Sequence, residues 1–200
     1  MRFLITAGPT REPLDPVRYL SNRSSGKMGY AIAAAALAEG HEVTLISGPV
    51  ALSAPSGAQR VHVTTGDEMF AATSAHFPLC DVFVMCAAVC DYRPAQYVSQ
   101  KMKKRPRFSL ELEPTRDILA SLTSQPHDCF VVGFAAETEA LVANDVSRAD
   151  LGMDADENEL LIFSKNDAPK KLSRQKKTEL ARALLKIILE VREKCLTKKS

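Results

Sequence analysis

The sequence predicts an α/β fold, a three-layer sandwich with a mostly parallel central sheet. Strand-like and helix-like segments alternate along most of the 200 residues, which is typical of a sheet covered by helices on both faces. Two strand-like segments, Asp81–Val89 and Cys129–Ala136, are apolar almost throughout, as expected of central parallel strands buried on both faces. A long polar loop and an alanine-rich helix follow the first strand, where open α/β sheets bind their ligands.

The elements are predicted from hydrophobic periodicity and from glycine and proline at their boundaries. The predicted strands are Arg2–Thr6, Glu42–Ser47, Arg60–Thr65, Asp81–Val89 and Cys129–Ala136. The predicted helices are Lys27–Glu39, Gly66–Phe77, Thr115–Ser124 and the amphipathic C-terminal segment Ser173–Lys194. Before this last helix, Glu159–Ser164 is expected to pair with Lys170–Leu172 as a small protruding hairpin. The whole chain, 1–200, is predicted to be a single domain.

One connection conflicts with a parallel sheet. Cys129–Ala136 and Leu141–Val146 both resemble core strands, yet only about four residues separate them. Parallel neighbours need a crossover of roughly a dozen residues or more. Either the second strand is antiparallel, or one segment is not a strand, or a crossover is missing from this sequence.

The composition limits the compartment and the class of partner. A net charge of +2 is too small to favour nucleic acid or a membrane surface. No apolar run approaches the roughly 20 residues that cross a bilayer, and a secretory signal is lacking, so we expect a cytoplasmic protein. The five cysteines form no C-x-x-C pair and are expected to be reduced structural thiols.

The start of the alanine-rich helix is the first candidate site. Ser24, Ser25 and Gly26 precede it, and free backbone N–H groups at the positive end of a helix suit a phosphate. The alternative is a simple N-cap. The long preceding loop, with Arg18 and Asn22, favours a ligand. The segment is neither a G-x-G-x-x-G nor a G-x-x-x-x-G-K-[ST] loop, so a standard dinucleotide or P-loop site is not supported.

Three further segments are candidates, each with an ordinary structural alternative. Asp91 follows the most apolar strand, where it is either a ligand group or part of a solvated turn. The basic loop around Lys101 is either a solvated charge run or a cover that neutralises phosphate charge. The segment Thr115–Asp117 caps a helix, and Phe134 either packs in the core or stacks on a base. The four histidines are scattered and suggest no catalytic base.

A set of motifs identifies a family. ITAGPTREPLDPVRYLSNRSSGKMGYAIA, LISGPV, CAAVCDYRP, KMKK, VGFAAET and ANDVS occur in this order over most of the chain. In this combination the sequence resembles phosphopantothenoylcysteine synthetase, of the bacterial type that forms the C-terminal half of a bifunctional coenzyme A biosynthesis protein. The resemblance implies a Rossmann-like fold and a homodimer. It also implies a ligase that joins 4'-phosphopantothenate to L-cysteine.

The resemblance further implies co-substrates and residue roles. CTP would activate the carboxylate as an acyl-cytidylate with magnesium (Mg2+), releasing pyrophosphate and then CMP; ATP remains open. Asn22 would bind the substrate carboxylate, with Arg18 nearby, and Lys101 would fold over the intermediate. The implied nucleotide and phosphate contacts are Ser24, Ser25, Gly26, Ala87, Ala88, Asp91, Lys101, Thr115, Arg116, Asp117, Ile118 and Phe134. The residues Thr115-Arg116-Asp117 depart from the Asn-Pro-Asp that the family usually has.

Two departures from the family affect the prediction. The chain starts directly before its first strand, so we expect a stand-alone synthetase or an excised domain, with a flavin-dependent decarboxylase as a partner. Relatives also carry a helix with nucleotide-contacting lysines where this chain joins Glu139 directly to Ala140. We hypothesise that a disordered segment is missing from the sequence at this junction. The rival functions are a catalytically weak nucleotide-binding subunit that partners a separate flavoprotein decarboxylase, and a Rossmann-like oxidoreductase.

Overall fold

The structure is a computed structural model that describes residues 1–104, 106–134, 140–143, 154–164 and 167–197. The strands are β1 Arg2–Ala7, β2 Arg11–Pro13, β3 Tyr19–Ser21, β4 Glu42–Ser47, β5 Gln59–His62, β6 Val82–Met85, β7 Tyr92–Pro94, β8 Leu112–Pro114, β9 Phe130–Phe134, β10 Ala140–Ala143, β11 Glu157–Ser164 and β12 Asp167–Lys176. The helices are α1 Lys27–Ala38, α2 Gly66–His76, α3 Ile118–Thr123 and α4 Lys177–Thr197.

The predicted fold class is confirmed by the sheet. Across the described residues the main sheet has the strand order β12-β11-β10-β9-β6-β1-β4-β5. Six neighbouring strands, β5, β4, β1, β6, β9 and β10, are mutually parallel, and β11 and β12 complete one edge as an antiparallel hairpin. Two small antiparallel pairs, β2 with β3 and β7 with β8, lie in the segments that follow β1 and β6.

The core forms two layers, one on each face of the sheet. Side chains alternate along β1, so Phe3 and Ile5 pack towards α1 and α4 while Leu4 packs towards α2 and α3. Helix α1 lies very close to β1 at Gly29: a Cβ on this residue would come within 2.6 Å of the Cβ of Ala7. No helix in the described ranges is both long and apolar enough to span a membrane.

Several predicted boundaries are wrong for reasons that involve distant residues. The predicted strand Asp81–Val89 ends at Met85, because the main chain beyond it bonds to the loop after β1. The predicted helix Thr115–Ser124 begins only at Ile118, since Asp117 is its N-cap. The first residues of the predicted helix Ser173–Lys194 instead extend β12, which pairs with β11.

The structure decides between two of the three interpretations of the short connection from Cys129–Ala136 to Leu141–Val146. Strand β10 is parallel to β9, with Ala140 beside Val132, so the antiparallel alternative is wrong and both segments are strands. The predicted end of the second strand, 144–146, and the intervening residues 135–139 lie outside the described residues. The hypothesis of a missing crossover therefore stays a prediction.

The predicted hairpin forms and is longer than predicted. Strand β11 pairs with β10 from Leu161 to Ser164, whereas its first residues, Glu157 and Asn158, pair with β12 alone. Helix α4 packs on this part of the sheet through the core cluster that contains Leu160 and Leu184. The hairpin is therefore attached to the domain core at its inner face.

Candidate functional site

Two buried threonines, one in β1 and one in the segment after it, hold the segment that follows β6. The hydroxyl of Thr6 accepts hydrogen bonds from the backbone N–H groups of Cys86 and Ala87, each at 3.2 Å. The hydroxyl of Thr10 accepts one from Cys90 N–H at 3.0 Å. Both threonines are fully buried. These bonds take residues 86–90 out of the sheet and fix them along its carboxyl edge.

A cavity of about 740 Å³ opens beside this segment; we call it the cleft. It lies where β6 and β9 end and α3 begins, at the carboxyl edge of the parallel sheet. The predicted site residues that line it are Ala87, Asp91, Thr115, Arg116, Asp117, Ile118 and Phe134. Lining residues that the sequence analysis missed are Met85, Val89, Leu119, Ala120, Thr123 and Ser124. Their spacing along the predicted helix was the sequence signal that could have located Leu119, Ala120 and Thr123 beside Thr115–Asp117.

The α3 wall of the cleft is tied to the β6 side by main-chain contacts. The N–H of Thr115 donates to the carbonyl of Asp91 at 2.9 Å, and the Thr115 hydroxyl donates to the carbonyl of Cys90. The carboxylate of Asp117 accepts the N–H of Ala120 at 2.8 Å, as an N-cap does. The interpretation of Asp117 as a helix cap is therefore confirmed, and the residue also lines the cleft.

A cation–π contact orients Arg116. Its guanidinium lies 4.3 Å from the ring centre of Phe70, which belongs to α2. Such a contact at an exposed site contributes roughly 0.5–1 kcal/mol. The side chain of Arg116 is thus held at the rim of the cleft by a residue that no local sequence pattern connects to it.

Asn22 is attached directly to the segment after β6. Its side-chain nitrogen donates to the carbonyls of Ala88 and Val89, each at 3.0 Å. Asn22 therefore lies against the residues that follow β6. Neither Asn22 nor Ala88 lines the cleft itself.

The start of α1 is capped by a glycine. Gly26 is the N-cap, with a φ of 77°, and no side chain makes a capping hydrogen bond there. A Cβ on Gly26 would lie 3.0 Å from Val50 Cγ1 and 3.3 Å from Gly8, so a larger residue does not fit without strain. The hydroxyl of Ser24 accepts the N–H of Gly26 at 3.4 Å. Ser24, Ser25 and Gly26 lie outside the cleft lining.

A buried carboxylate anchors the basic loop, and the sequence analysis missed it. Asp15 accepts the backbone N–H of Val17 and of Arg18 on one oxygen, at 2.9 and 2.8 Å. Its other oxygen accepts Arg18 Nε at 2.9 Å and Met102 N–H at 3.1 Å. The guanidinium of Arg18 also donates to the carbonyl of Met102 at 2.8 Å. We call Asp15, Arg18 and Met102 the Asp15 anchor.

The anchor favours the ionised form of Asp15 and fixes the backbone next to Lys101. Burial opposes ionisation of Asp15, but the hydrogen bonds from the Arg18 side chain and from backbone N–H groups outweigh it and hold the pKa well below its usual range. Lys101 immediately precedes the anchored Met102, and its side chain is exposed. Arg18 is thus engaged with the basic loop. In the sequence, the three-residue spacing from Asp15 to Arg18 was the local signal that these two side chains could pair.

Two lysines meet at the starts of α1 and α4. Lys27 Nζ donates to Asp156 Oδ1 at 2.7 Å and to the carbonyl of Asp154 at 2.9 Å, and the pair with Asp156 raises the pKa of Lys27. Lys177 is only 4% exposed. Burial first, and then repulsion by Lys27, lowers the pKa of Lys177. The hairpin side of the domain is therefore joined to the start of α1 by charge.

The thiols near the cleft are poor nucleophiles. Burial raises the pKa of Cys86 to about 12 and also raises the pKa of Cys90. All five cysteines are free, as expected. Within the described part of the chain, no cluster of three or more His, Cys, Asp or Glu could hold a metal ion. The raised pKa values make the thiols of Cys86 and Cys90 unsuited to act as nucleophiles.

The structure is a Rossmann-like α/β fold with a cleft at the carboxyl edge of its sheet, the edge at which such folds bind ligands. Comparison with known proteins narrows this class. The model of the DFP family, the DNA/pantothenate metabolism flavoprotein C-terminal domain, matches residues 1–191. The chain belongs to this family.

Two curated relatives agree with this assignment. The coenzyme A biosynthesis bifunctional protein CoaBC of Escherichia coli is 43% identical over 206 residues, covering 92% of this chain and 50% of that protein. CoaBC of Bacillus subtilis is 39% identical over 203 residues, covering 92% of this chain and 50% of that protein. The chain spans about half the length of the curated relatives it matches.

Solved structures lead to the same conclusion. A crystal structure of the C-terminal domain of CoaBC superposes with a TM-score of 0.83 at 39% identity, covering 96% of this chain and 98% of that one. A Cab2 complex with phosphopantothenate-cysteine has a TM-score of 0.80 at 16% identity, covering 99% of this chain and 88% of that one, and so shows the shared fold. The resemblance to the synthetase half of the bifunctional proteins is confirmed.

Proposed function

We propose that this chain is a ligase of coenzyme A biosynthesis that joins 4'-phosphopantothenate to L-cysteine. The observation that carries the proposal is the cleft, whose walls come from the CAAVCDYRP, TRDI and VGF segments and meet at one edge of the sheet. The similarity to CoaBC proteins supports the same reaction. CTP is the proposed nucleotide, on the resemblance to the bacterial type, and ATP is the alternative.

The proposed chemistry has two steps. The carboxylate oxygen of phosphopantothenate bonds to the α-phosphorus of CTP, and pyrophosphate leaves. The amine of cysteine then bonds to the acyl carbon, CMP leaves and the amine loses a proton. Because the first step combines an anionic substrate with a triphosphate, the site must supply positive charge and hydrogen-bond donors. It does not require a side-chain nucleophile, which agrees with the raised pKa values of Cys86 and Cys90.

Asn22 is proposed to bind the reacting carboxylate by giving up one of its hydrogen bonds to a main-chain carbonyl. Both hydrogens of its amide already point to the carbonyls of Ala88 and Val89. A carboxylate can therefore accept a hydrogen bond from Asn22 only by displacing one of these carbonyls. A charged acceptor makes the stronger hydrogen bond, so the exchange is favourable when substrate is present.

Phosphate groups are proposed to bind at the start of α1 and under the basic loop. The Gly26 N-cap carries no capping side chain, which leaves the positive end of the helix open to an anion. Ser24 and Ser25 flank this position in the chain. Lys101, whose neighbour Met102 is held by Asp15 and Arg18, is proposed to neutralise charge on the transferring group.

The nucleotide is proposed to occupy the cleft with magnesium. Phe134 offers an aromatic face, and Arg116 is oriented at the rim. Magnesium prefers oxygen ligands and is usually held by one or two carboxylates together with substrate phosphates. Two acidic residues, Asp91 and Asp117, line the cleft, so the residue types present fit an ion that arrives with the triphosphate. When bound, the ion would neutralise phosphate charge.

Three further parts of the proposal concern context. We propose that the chain acts as one domain, 1–200, that it forms a homodimer, and that it works in the cytoplasm beside a flavin-dependent decarboxylase. The relatives are bifunctional proteins of which this chain matches about half, and this supports a partner that carries a second activity. Size measurement by light scattering tests the dimer.

A second candidate function is a catalytically weak nucleotide-binding subunit. One observation favours it: the alignment with the Escherichia coli relative runs over 206 residues although 92% of this 200-residue chain takes part, so the relative has residues that this chain lacks. The proposed place is the junction of Glu139 and Ala140, where lysines that contact the nucleotide would be lost. An intact mass above 21.8 kDa would show that the protein has residues that the sequence lacks. A mass of 21.8 kDa would show that the protein itself is shortened.

The test is pyrophosphate release by the purified chain with magnesium. CTP and ATP are compared, each with and without 4'-phosphopantothenate and L-cysteine. Release that requires phosphopantothenate and prefers CTP is the expected result, and release of CMP should then require cysteine. No release with either nucleotide, despite nucleotide binding measured by calorimetry, would favour the weak binding subunit.

A further inference from the structure

Two thiols touch at the edge of the sheet opposite the cleft. Cys80 precedes β6 and Cys129 precedes β9, and their sulfur atoms lie 2.9 Å apart. The two strands are parallel neighbours, with Val82 beside Phe130, and Phe130 N–H donates to the carbonyl of Asp81 at 3.0 Å. The central sheet therefore fixes the positions from which both thiols extend.

The contact is close to the geometry of a covalent link. A disulfide has a sulfur–sulfur distance of about 2.05 Å, so oxidation needs a closure of under about 1 Å. The sulfur of Cys80 also lies 3.2 Å from the carbonyl of Phe77, and that of Cys129 lies 3.7 Å from the carbonyl of Phe130. These main-chain contacts hold the two sulfurs towards each other.

Only one of the two thiols is accessible. Cys80 is half-buried and lines a second cavity of about 580 Å³, together with His41 and His76. Cys129 is 6% exposed, and its hydrogen bond with Cys80, together with burial, raises its pKa. A reagent that enters the cavity therefore meets Cys80 first, and Cys129 lies behind it.

We propose that Cys80 and Cys129 form a modification site, at which a low-molecular-weight disulfide such as oxidised glutathione converts the pair to an intramolecular disulfide. The Cys80 thiolate attacks one sulfur of the reagent, whose sulfur–sulfur bond breaks and releases one thiolate. The Cys129 sulfur then attacks Cys80 in the mixed disulfide and releases the second thiolate. The two protons of the protein thiols pass to the two released thiols, and the two electrons pass to the reagent.

The link would act on stability rather than on the cleft. It closes a loop from 80 to 129 that contains Asp91, Lys101 and α3. Closing a loop of this length restricts the unfolded chain and should raise the melting temperature by about 5–10 °C. Because the link lies at the amino edge of β6 and β9, the carboxyl edge that forms the cleft should not move. This inference does not depend on the proposed function.

The test uses the full chain equilibrated with oxidised or reduced glutathione, alkylated and digested with trypsin. Trypsin leaves Cys80 in peptide 61–101, together with Cys86 and Cys90, whereas peptide 117–148 contains Cys129 alone. We expect the oxidised sample to contain these two peptides joined, with a higher melting temperature that dithiothreitol reverses. The joined peptides should disappear in Cys80→Ser and persist in the control Cys86→Ser.

Two results would overturn the inference. One is recovery of both Cys80 and Cys129 as alkylated thiols after oxidation of the wild-type chain. The other is a stable glutathione adduct on Cys80 with Cys129 still alkylated, which would show that the second thiol does not react. Both are read from the wild-type protein, so they do not depend on whether a variant folds.

Discussion

The cleft and the Asp15 anchor are both parts of the candidate site, but they are held in different ways. In the cleft, main-chain hydrogen bonds to Thr6 and Thr10, the contacts of Thr115 and a capped α3 fix the walls. The basic loop after β7 is held by fewer contacts: the Asp15 carboxylate bonds to Met102 and Arg18, and the carbonyls of Met102 and Leu14 accept hydrogen bonds from Arg18 and Val98. One part is built into the sheet, whereas the other is attached to it.

This difference separates shape from charge. A wall made of main-chain contacts should keep its form when a single side chain changes, so substitutions there should mainly affect ligand affinity or helix stability. A loop attached by a few hydrogen bonds can be displaced without unfolding the domain. Substitutions in the loop and its anchor should therefore change catalysis while the melting temperature stays nearly constant.

The largest expected effect is that of Lys101→Gln. The side chain is exposed, so its loss should leave the melting temperature unchanged. If it neutralises charge on the transferring group, kcat/KM for pyrophosphate release should fall about 10²–10³-fold. Lys103→Gln, an exposed lysine in the same loop, is the matched control and should have activity close to wild type. Equal effects of the two variants would mean that the loop contributes only net charge.

Asn22→Ala should have the next largest effect. Losing a hydrogen bond to a charged group is expected to cost roughly 1.5–3 kcal/mol, or about 10–100-fold in kcat/KM with phosphopantothenate. Ser21→Ala is the control, because Ser21 also donates to a nearby main-chain carbonyl, that of Thr10, at 2.7 Å. A loss of activity in Ser21→Ala as large as that in Asn22→Ala would assign the effect to loop disorder rather than to the amide.

The sequence predicted the parts of this site that depend on local pattern. Apolar runs located the central strands, and polar residues after them located the cleft segments, because both signals lie within a few consecutive residues. The end of β6 at Met85 could not be predicted in this way, since it depends on the hydroxyl of Thr6, which is 80 residues from Cys86 along the chain.

The anchor and the thiol pair were missed for the same reason. Asp15 bonds to Met102 across 87 residues, and Cys80 touches Cys129 across 49. A buried aspartate, or two cysteines in a chain with five, carries no local signal of its partner. Only the three-dimensional arrangement of β1, β6 and β9 brings these residues together.

Asp15→Asn should release the basic loop and leave the cleft intact. The variant keeps the shape of the side chain, but its amide cannot accept on both atoms from Arg18 and Met102. We expect kcat/KM to fall about tenfold, with faster hydrogen exchange confined to the loop that contains Lys101. Glu39→Gln, an exposed acid at the end of α1, is the control. Unchanged exchange in the loop would show that other contacts suffice to hold it.

The pH dependence of the anchor follows from the lowered pKa of Asp15. A carboxyl whose pKa is lower in the folded chain than its ordinary value of about 3.9 contributes stability that is fully present above that value. The contribution is lost as the pH falls through the folded pKa. The difference in loop exchange between wild type and Asp15→Asn should therefore persist from neutral pH down to about pH 4 and shrink below it.

The smallest expected effect is on the cleft wall, at Asp117. Removing this N-cap in Asp117→Ala should destabilise the protein by about 1 kcal/mol, a fall of about 2–4 °C in melting temperature. Asp117→Asn keeps a capping oxygen and should restore the melting temperature, yet it removes the negative charge of a residue that lines the cleft. If Asp117 helps to hold magnesium, Asn should bind the magnesium–nucleotide complex less tightly than wild type does, and calorimetry measures this. A variant that recovers both stability and affinity would show that this residue only caps the helix, which is how a wall built into the sheet should behave.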